Sequence, residues 1–253
     1  MIKIMSKLWF SLYDRNNYTG SELAFYDPTV LSFTKLVEDN AHVIREELEN
    51  YLKDNQLQSY FNTAMVEQKH SWKTISLRWW SIKFYKNQQS FPKTTGIIKS
   101  IDGLVSASFN MLQAGGKIRP HCGDTNGIYR VHLGLDIPAT LPDCGFRVKD
   151  EWRNWEEGKV LVFVDANNHE AINLSTKNRF IFSFDVIRPE FSSQKNHICS
   201  LVMTSLFLQN RAETFGFLHK TPLWFQQRIG FMLAPLAYIA IRVRNLVFGL
   251  LEI

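Results

Sequence analysis

From Leu104 to Ile187 the sequence reads as strand after strand, each run of β-branched and aromatic residues closed by Gly, Pro, Asn or Asp. That spacing confines the centre of the chain to an all-β sandwich or barrel. Two of the runs say more, because their alternate positions differ chemically. In residues 129 to 137, Tyr129, Val131, Leu133, Leu135 and Ile137 point one way, while Arg130, His132, Gly134 and Asp136 point the other. In residues 179 to 187, Phe180, Phe182, Phe184 and Val186 share an apolar face opposite Arg179, Ile181, Ser183 and Asp185. One face is expected to build core, and the other to line a polar cavity.

The flanks add helices to this β-rich centre. Leu36, Val37, Ile44, Leu48, Tyr51 and Leu52 recur at helical spacing between charged positions, which predicts one amphipathic helix from Ser32 to Leu52. Residues 1 to 28 are polar and irregular, with turn signals and no predicted role. Between Trp72 and Tyr85 aromatic and basic residues interleave, as on a stacking platform for single-stranded nucleic acid; a half-buried sheet shows the same mix, and no RNA-binding signature accompanies it, so a nucleic-acid partner is not expected. Beyond Pro222 the chain is apolar and basic, including Trp224, Phe231, Leu236, Ile239, Arg242 and Arg244. Such a tail needs cover. A helical pair packed on the domain or on a second subunit would supply it, and so would a peripheral membrane contact in which Arg228, Arg242 and Arg244 meet anionic headgroups. Its longest uncharged apolar run, Ile229 to Ile241, contains Pro235 and falls short of the roughly 20 residues that span a bilayer. The expected organisation is a single domain over residues 1–194 followed by an apolar, basic, helical extension over 195–253.

A net charge of +5 favours anionic partners without amounting to a nucleic-acid signature. Cys122, Cys144 and Cys199 are too few and too scattered for a disulfide framework, and Asp14 and Arg15 interrupt the short apolar patch near the N-terminus before a signal core can form. A cytoplasmic protein is expected, reaching at most the inner face of the membrane.

Chemistry gathers on a few side chains. His121 follows a Gly115-Gly116 turn and Pro120, and His169 follows the run Val160 to Asp165. Two histidines at the mouths of strands can hold iron, zinc or copper, but two of seven are as easily structural. Arg179 shifts the balance: it lies opposite Phe180 and Phe182, where a guanidinium points inward only to meet a carboxylate. Arg130 and His132 add donors on a neighbouring polar face.

These residues carry a resemblance. The segments G-K-I-R-P-H-C-G-D-T-N, Y-R-V-H-L-G-L-D-I-P, W-E-E-G-K-V-L-V-F-V-D, N-H-E and N-R-F-I-F-S-F-D-V-I-R-P-E resemble, in that order over residues 100 to 191, those of the aspartyl/asparaginyl β-hydroxylases. These are iron(II)- and 2-oxoglutarate-dependent oxygenases on a double-stranded β-helix, or jelly-roll, core. The resemblance implies iron ligands at His121 and His169, a 2-oxoglutarate carboxylate on Arg179, and a co-substrate held further by Arg130 and His132. Asn110 stands where family members often have a serine near the co-substrate. Most such oxygenases carry a carboxylate two residues after the first histidine; here that residue is Gly123, as in the β-hydroxylases, which leave the position to water. The implied reaction consumes O2 and 2-oxoglutarate and releases succinate and CO2. Aspartyl or asparaginyl residues, in peptides or as free amino acids, are the expected substrate, and the acyl chains of lipid A the alternative. A non-catalytic cupin-like binding module is the reading from a different class.

Overall fold

The computed structural model describes residues 7–11, 18–214 and 221–251. Its strands are β1 Gln58–Ser59, β2 Trp72–Trp79, β3 Ile82–Lys83, β4 Leu104–Leu112, β5 Gly116–His121, β6 Ile128–Asp136, β7 Cys144–Val148, β8 Glu151–Arg153, β9 Val160–Val164, β10 His169–Asn173 and β11 Arg179–Ile187. They form a seven-stranded sheet in the order β1-β2-β4-β11-β6-β9, with β3 hanging from β2, and a four-stranded sheet in the order β5-β10-β7-β8. The paired strands run antiparallel. The arrangement is a jelly roll with flanking helices.

Alternation along the strands sorts the two faces of the larger sheet as the sequence leads one to expect, except at the end of β6, where a register shift opposite Phe180 and Ile181 places Asp136 beside Leu48 and Phe180 on the outer side and Ile137 against the inter-sheet core. Val131, Leu133, Phe182 and Phe184 join Phe109 in an outer core, completed by Phe91 and by Val37, Ile44, Leu48 and Ile98 from among four helices laid over the sheet. These are α1 Thr34–Asp39, α2 Ala41–Asp54, α3 Tyr85–Ser90 and α4 Pro92–Lys99. The expected single helix over 32–52 is thus two. Asn40 separates them, its backbone outside helical geometry and its Nδ2 donating to the Leu36 carbonyl at 2.9 Å. A side-chain amide that satisfies a carbonyl of the preceding turn ends the helix there. Between the sheets a second core joins Leu112 and Ile181 to Ile118, Phe146, Val148 and Ala171 of the smaller sheet. Gly134 on β6 is needed for the crossing of residues 156–158, since a Cβ there would meet the Glu156 carbonyl oxygen at 2.2 Å.

After β11 come two long helices, α5 Lys195–Thr214 and α6 Leu223–Leu250. Ile198, Cys199, Leu201, Val202 and Ala234 share a core with Trp80, Val105, Ile128 and Ile187. The pair expected beyond Pro222 is instead one continuous helix, with Pro235 inside it. It is also long and apolar enough to cross a membrane, against the expectation from its longest uncharged run. That run was cut at Arg242, whereas a helix carries an arginine near its end with the stem buried and the charge in water.

The N-terminal stretch has a role that its irregular sequence hid. Phe10 bridges to Thr125, Phe25 enters the inter-sheet core, and Glu22 pairs with Arg188 at 2.8 Å with both side chains 6% exposed. Arg188 also donates to the Asn126 carbonyl and to Glu190. Removing one partner of a buried pair leaves the other charge uncompensated. Arg188→Met should therefore lower the unfolding free energy by about 3–5 kcal/mol, read from urea melts; Arg188→Lys should recover less than half, because an ammonium cannot reproduce the guanidinium fork.

Candidate active site

The polar face of the larger sheet, with the smaller sheet opposite, encloses a cavity of about 390 Å³. Its wall includes His121, Arg130, His132, Asn110, His169 and Arg179, so the residues singled out in the sequence converge on one space.

His121 ends β5 and His169 begins β10, and the two are directly opposed across the antiparallel ladder. Their ring centroids are 4.2 Å apart. His121 Nδ1 lies 2.8 Å from the Arg119 carbonyl, and His169 Nδ1 lies 2.8 Å from the Asn167 carbonyl. A carbonyl only accepts, so each Nδ1 carries the proton and each Nε2 keeps its lone pair. Burial holds both rings neutral, moving His121 down to about 4 and His169 well below the ordinary histidine value. Two neutral imidazoles with fixed tautomers and free Nε2 atoms are what a transition-metal ion requires.

No group of three His, Cys, Asp or Glu side chains suited to a metal occurs among the described residues. The reason is visible at Gly123. A Cβ on that glycine would lie 1.8 Å from Asp165 Oδ2, so the place of a side chain there is already filled by a carboxylate arriving from the end of β9. Asp165 is fully buried, and its Oδ1 is 3.9 Å from His169 Nε2. Its backbone carbonyl accepts from Gly123 N at 2.9 Å, and its Oδ2 accepts from Asp124 N at 3.2 Å.

Arg130 is in the cavity wall with its charge already engaged. It makes a two-pronged contact with Asp185, at 2.7 and 2.9 Å, and an ion pair with Asp165. Two carboxylates on one guanidinium leave an excess negative charge in a buried place. Burial, opposed by Arg130 and reinforced by Asp185 and Asp124, pushes the Asp165 carboxyl up to about 7. Burial likewise moves Asp124 up to about 6.

Arg179 is the contrast. It is 1% exposed, stacks over the Trp155 ring at 4.5 Å, and has no partner for Nε or Nη1. Burial alone brings its pKa down to about 10 against only a weak opposing influence from Cys144, so it remains a cation at neutral pH without a counter-ion. His132, packed among Phe146, Trp155 and Phe163, has an equally unpartnered Nδ1. Orphaned buried donors in a cavity wall point to a polar ligand that completes them. A dicarboxylate meets that requirement at Arg179 and His132, and a divalent cation meets the requirement of the two Nε2 atoms and the surplus carboxylate charge.

Asn110 takes part differently from the serine whose place it holds. Its Oδ1 accepts from Trp72 Nε1 at 3.1 Å, and its Nδ2 donates to the Ser108 carbonyl and hydroxyl at 3.1 and 2.9 Å. Its donors are committed along its own strand, and it fixes Trp72, which in turn stacks on Tyr60 at 3.8 Å. Trp155, Asp165 and Arg78 line the cavity without having been singled out in the sequence. Trp155 opens the W-E-E-G-K segment and Asp165 closes a predicted strand, and these positions were the only signals the chain offered.

Known proteins resemble this chain in sequence over part of its length. An ornithine lipid ester-linked acyl 2-hydroxylase of Rhizobium tropici is 31% identical over 169 residues, covering 65% of this chain and 60% of that protein. The aspartyl/asparaginyl beta-hydroxylase of Homo sapiens is 37% identical over 107 residues, covering 42% of this chain and 13% of that protein. Among solved structures, HygX from Streptomyces hygroscopicus, with nickel and 2-oxoglutarate bound, aligns at a TM-score of 0.41 and 9% identity over 60% of this chain and 79% of that one. The chain thus spans less than two thirds of the length of these two sequence relatives. Residues 38–189, more than half of the chain, match the family described as aspartyl/asparaginyl beta-hydroxylase, and the chain belongs to that family.

Proposed function

We propose that the chain is an iron(II)- and 2-oxoglutarate-dependent hydroxylase, and that it acts on the acyl chain of a membrane lipid. One observation carries the first half: a single cavity holds two opposed imidazoles with free Nε2 atoms and a buried guanidinium without a counter-ion. His121 and His169 would hold the iron, and Arg179 with His132 would hold 2-oxoglutarate. When bound, the ion and the co-substrate supply dioxygen activation and removal of a hydrogen atom, with succinate and CO2 released. The chain supplies position and dryness. Phe146 and Phe163 pack against both His132 and His169, which keeps water from the reacting centre. Arg130 serves through its two aspartates, holding the loop that carries Gly123 and Asp124.

The lipid half rests on where the cavity leads. Away from Arg179 its wall turns aromatic, with Tyr60, Phe61, Trp79, Trp80 and Phe84, and reaches Leu206 of α5. The adjoining β2–β3 turn is the seat of α6: Asn245 bonds Lys83 N at 3.0 Å and the Ser81 carbonyl at 2.9 Å, and Arg244 donates to the Lys83 carbonyl at 2.8 Å. On its outer side α6 exposes Met232, Leu236, Ile239, Val243, Leu246 and Leu250 at alternating three- and four-residue spacing. Such a stripe could pair with a second copy. The neighbouring positions 233, 240 and 247 are Leu, Ala and Val, however, where a coiled coil needs charges, and no acidic residue lies between Pro222 and Leu251 to meet Arg228, Arg242 and Arg244. A broad apolar band edged with arginines suits the surface of an anionic bilayer. The acyl substrate of the Rhizobium relative supports the same reading, and the free thiols of Cys122, Cys144 and Cys199 suit the cytoplasmic side.

Hydroxylation of an aspartyl or asparaginyl residue is the second reading, favoured by the 37% identity to the human β-hydroxylase over 107 residues. Mass spectrometry of lipid extract, peptides, and free aspartate and asparagine incubated with the protein, iron(II), ascorbate and 2-oxoglutarate decides between them. Gain of one oxygen atom on a lipid acyl chain is the expected result. Gain on an aspartyl or asparaginyl substrate would select the second reading, and absence of both 2-oxoglutarate binding and succinate release would leave a non-catalytic module.

His121→Ala and His169→Ala should each abolish turnover and Co(II) binding by titration calorimetry while thermal melting remains cooperative. Arg179→Met should weaken 2-oxoglutarate binding by about 10- to 100-fold, the worth of a charge-assisted pair. Gly123→Ala should lower Co(II) affinity and turnover together, because the new Cβ displaces Asp165; tight metal binding in that variant would show that Asp165 has no part in the site. Leu236→Asp, Ile239→Asp and Val243→Asp combined should end flotation with phosphatidylglycerol-containing vesicles, since each apolar side chain withdrawn from water contributes about 1.5–3 kcal/mol. Loss of a dimer in sizing experiments, with flotation absent from the start, would identify a second copy as the occupant of α6.

A further inference from the structure

Arg130, Arg179 and Arg78 all reach the cavity wall, and their charges are disposed of differently. Arg130 is held by Asp165 and Asp185, and Arg179 faces the co-substrate end. Arg78 lies toward the other end, on β2, just past a register shift that follows Ser76. Its Nη1 donates to the Leu104 carbonyl at 3.1 Å, and its buried Nε has no partner. No carboxylate forms an ion pair with it among the described residues. Burial lowers its pKa, with only Cys199 and Tyr85 acting in the other direction.

Two more cations stand close by. Lys83 is the register partner of Arg78 across the β2–β3 turn, and Lys195 opens α5. Both are depressed first by burial, Lys83 also by Arg78 and Lys99; at Lys195 Cys199 opposes burial, and Arg78 adds a smaller lowering against Asp102. Positive groups partly withdrawn from water beside one another are unfavourable until an anion joins them. Apolar surface lies at hand, since Trp79, Trp80, Phe84 and Leu206 line the same end of the cavity.

We propose that the Arg78 end of the cavity is a second anion seat, which holds the phosphate or carboxylate group of an amphiphilic substrate while its apolar part lies along Trp79, Trp80, Phe84 and Leu206. The role of that substrate rests on the hydroxylase reading; its binding does not. Arg179 and Arg78 then divide the cavity, one guanidinium for the co-substrate and one for the substrate. Because Trp72, Trp79 and Trp80 line the cavity, intrinsic fluorescence of the full chain reports occupancy, with dodecyl phosphate, inorganic phosphate and dodecanol as probes.

Dodecyl phosphate should bind about 10-fold or more tightly than dodecanol, the worth of one charge-assisted hydrogen bond. Arg78→Gln should erase that preference while leaving dodecanol and 2-oxoglutarate affinities unchanged, and Arg78→Lys should keep part of it. Equal affinity of the wild type for dodecyl phosphate and dodecanol, or an undiminished preference in folded Arg78→Gln, would overturn the seat. Inorganic phosphate binding as tightly as dodecyl phosphate would keep the anion seat and overturn the amphiphile. Failure of the wild type to bind 2-oxoglutarate would remove the hydroxylase reading, while the phosphate titrations alone would still uphold or overturn the seat at Arg78.

Discussion

The guanidinium of Arg130, clasped between Asp185 and Asp165, is the contact through which the parts of the site hold their places. Arg130 sits on β6 and Asp185 on the adjacent β11, so one arm of the clasp is a cross-strand pair within the larger sheet. Asp165 belongs to the end of β9, where the chain leaves that sheet for β10 and His169. Its carbonyl and carboxylate then receive the backbone N–H groups of Gly123 and Asp124, just beyond His121. Through one partly buried cation the two histidine-bearing strand ends are tied to the larger sheet. In a low-dielectric interior such a pair is held firmly only because every arm is satisfied.

The same clasp explains the missing carboxylate ligand. Asp165 fills the space that a side chain at position 123 would need, so a glycine there is a steric requirement of the clasp and not a gap in the site. The negative charge is present all the same. Two aspartates against one arginine leave a surplus, and burial, with Asp185 and Asp124 adding to it, raises the Asp165 carboxyl against the pull of Arg130. A divalent cation on the two imidazoles would offset that surplus without direct ligation by the carboxylate. The site accordingly stores its anionic character beside the two imidazoles.

How much of this could be read in the chain itself depended on distance along it. The two-residue period of β6 and β11 assigned core and cavity faces correctly as far as Leu135, because alternation is a local property of a strand, and failed at Asp136 and Ile137, where a shift in register against β11 breaks the period. Arg179 stood out for the same reason, a charge flanked by phenylalanines. Contacts between remote segments were invisible: Asp165 against Gly123, Glu22 against Arg188, and the commitment of Arg130 to two aspartates. Asn110 looked like a donor to the co-substrate until its partners Trp72 and Ser108 were in place. The helix break at Asn40 and the continuity of α6 through Pro235 turned on single hydrogen bonds and on packing against α5 and the β2–β3 turn, which pattern counting does not see.

Charge also gives the cavity a direction. Arg179, stacked on Trp155, is withdrawn from water, and the same cavity is lined by the histidine pair and, toward the end of β2, by Trp79, Trp80, Phe84 and Leu206. A ligand that satisfies Arg179 must be anionic and small enough to leave the two imidazoles open. A ligand that approaches Trp79, Trp80 and Phe84 meets apolar surface, on a hairpin bound to the most apolar helix of the chain. A substrate drawn from water gains little from that approach, whereas an acyl chain leaving a bilayer would pass from one apolar surface to the next without full hydration between them. That continuity of apolar surface is the ground on which a lipid substrate is proposed for this jelly roll.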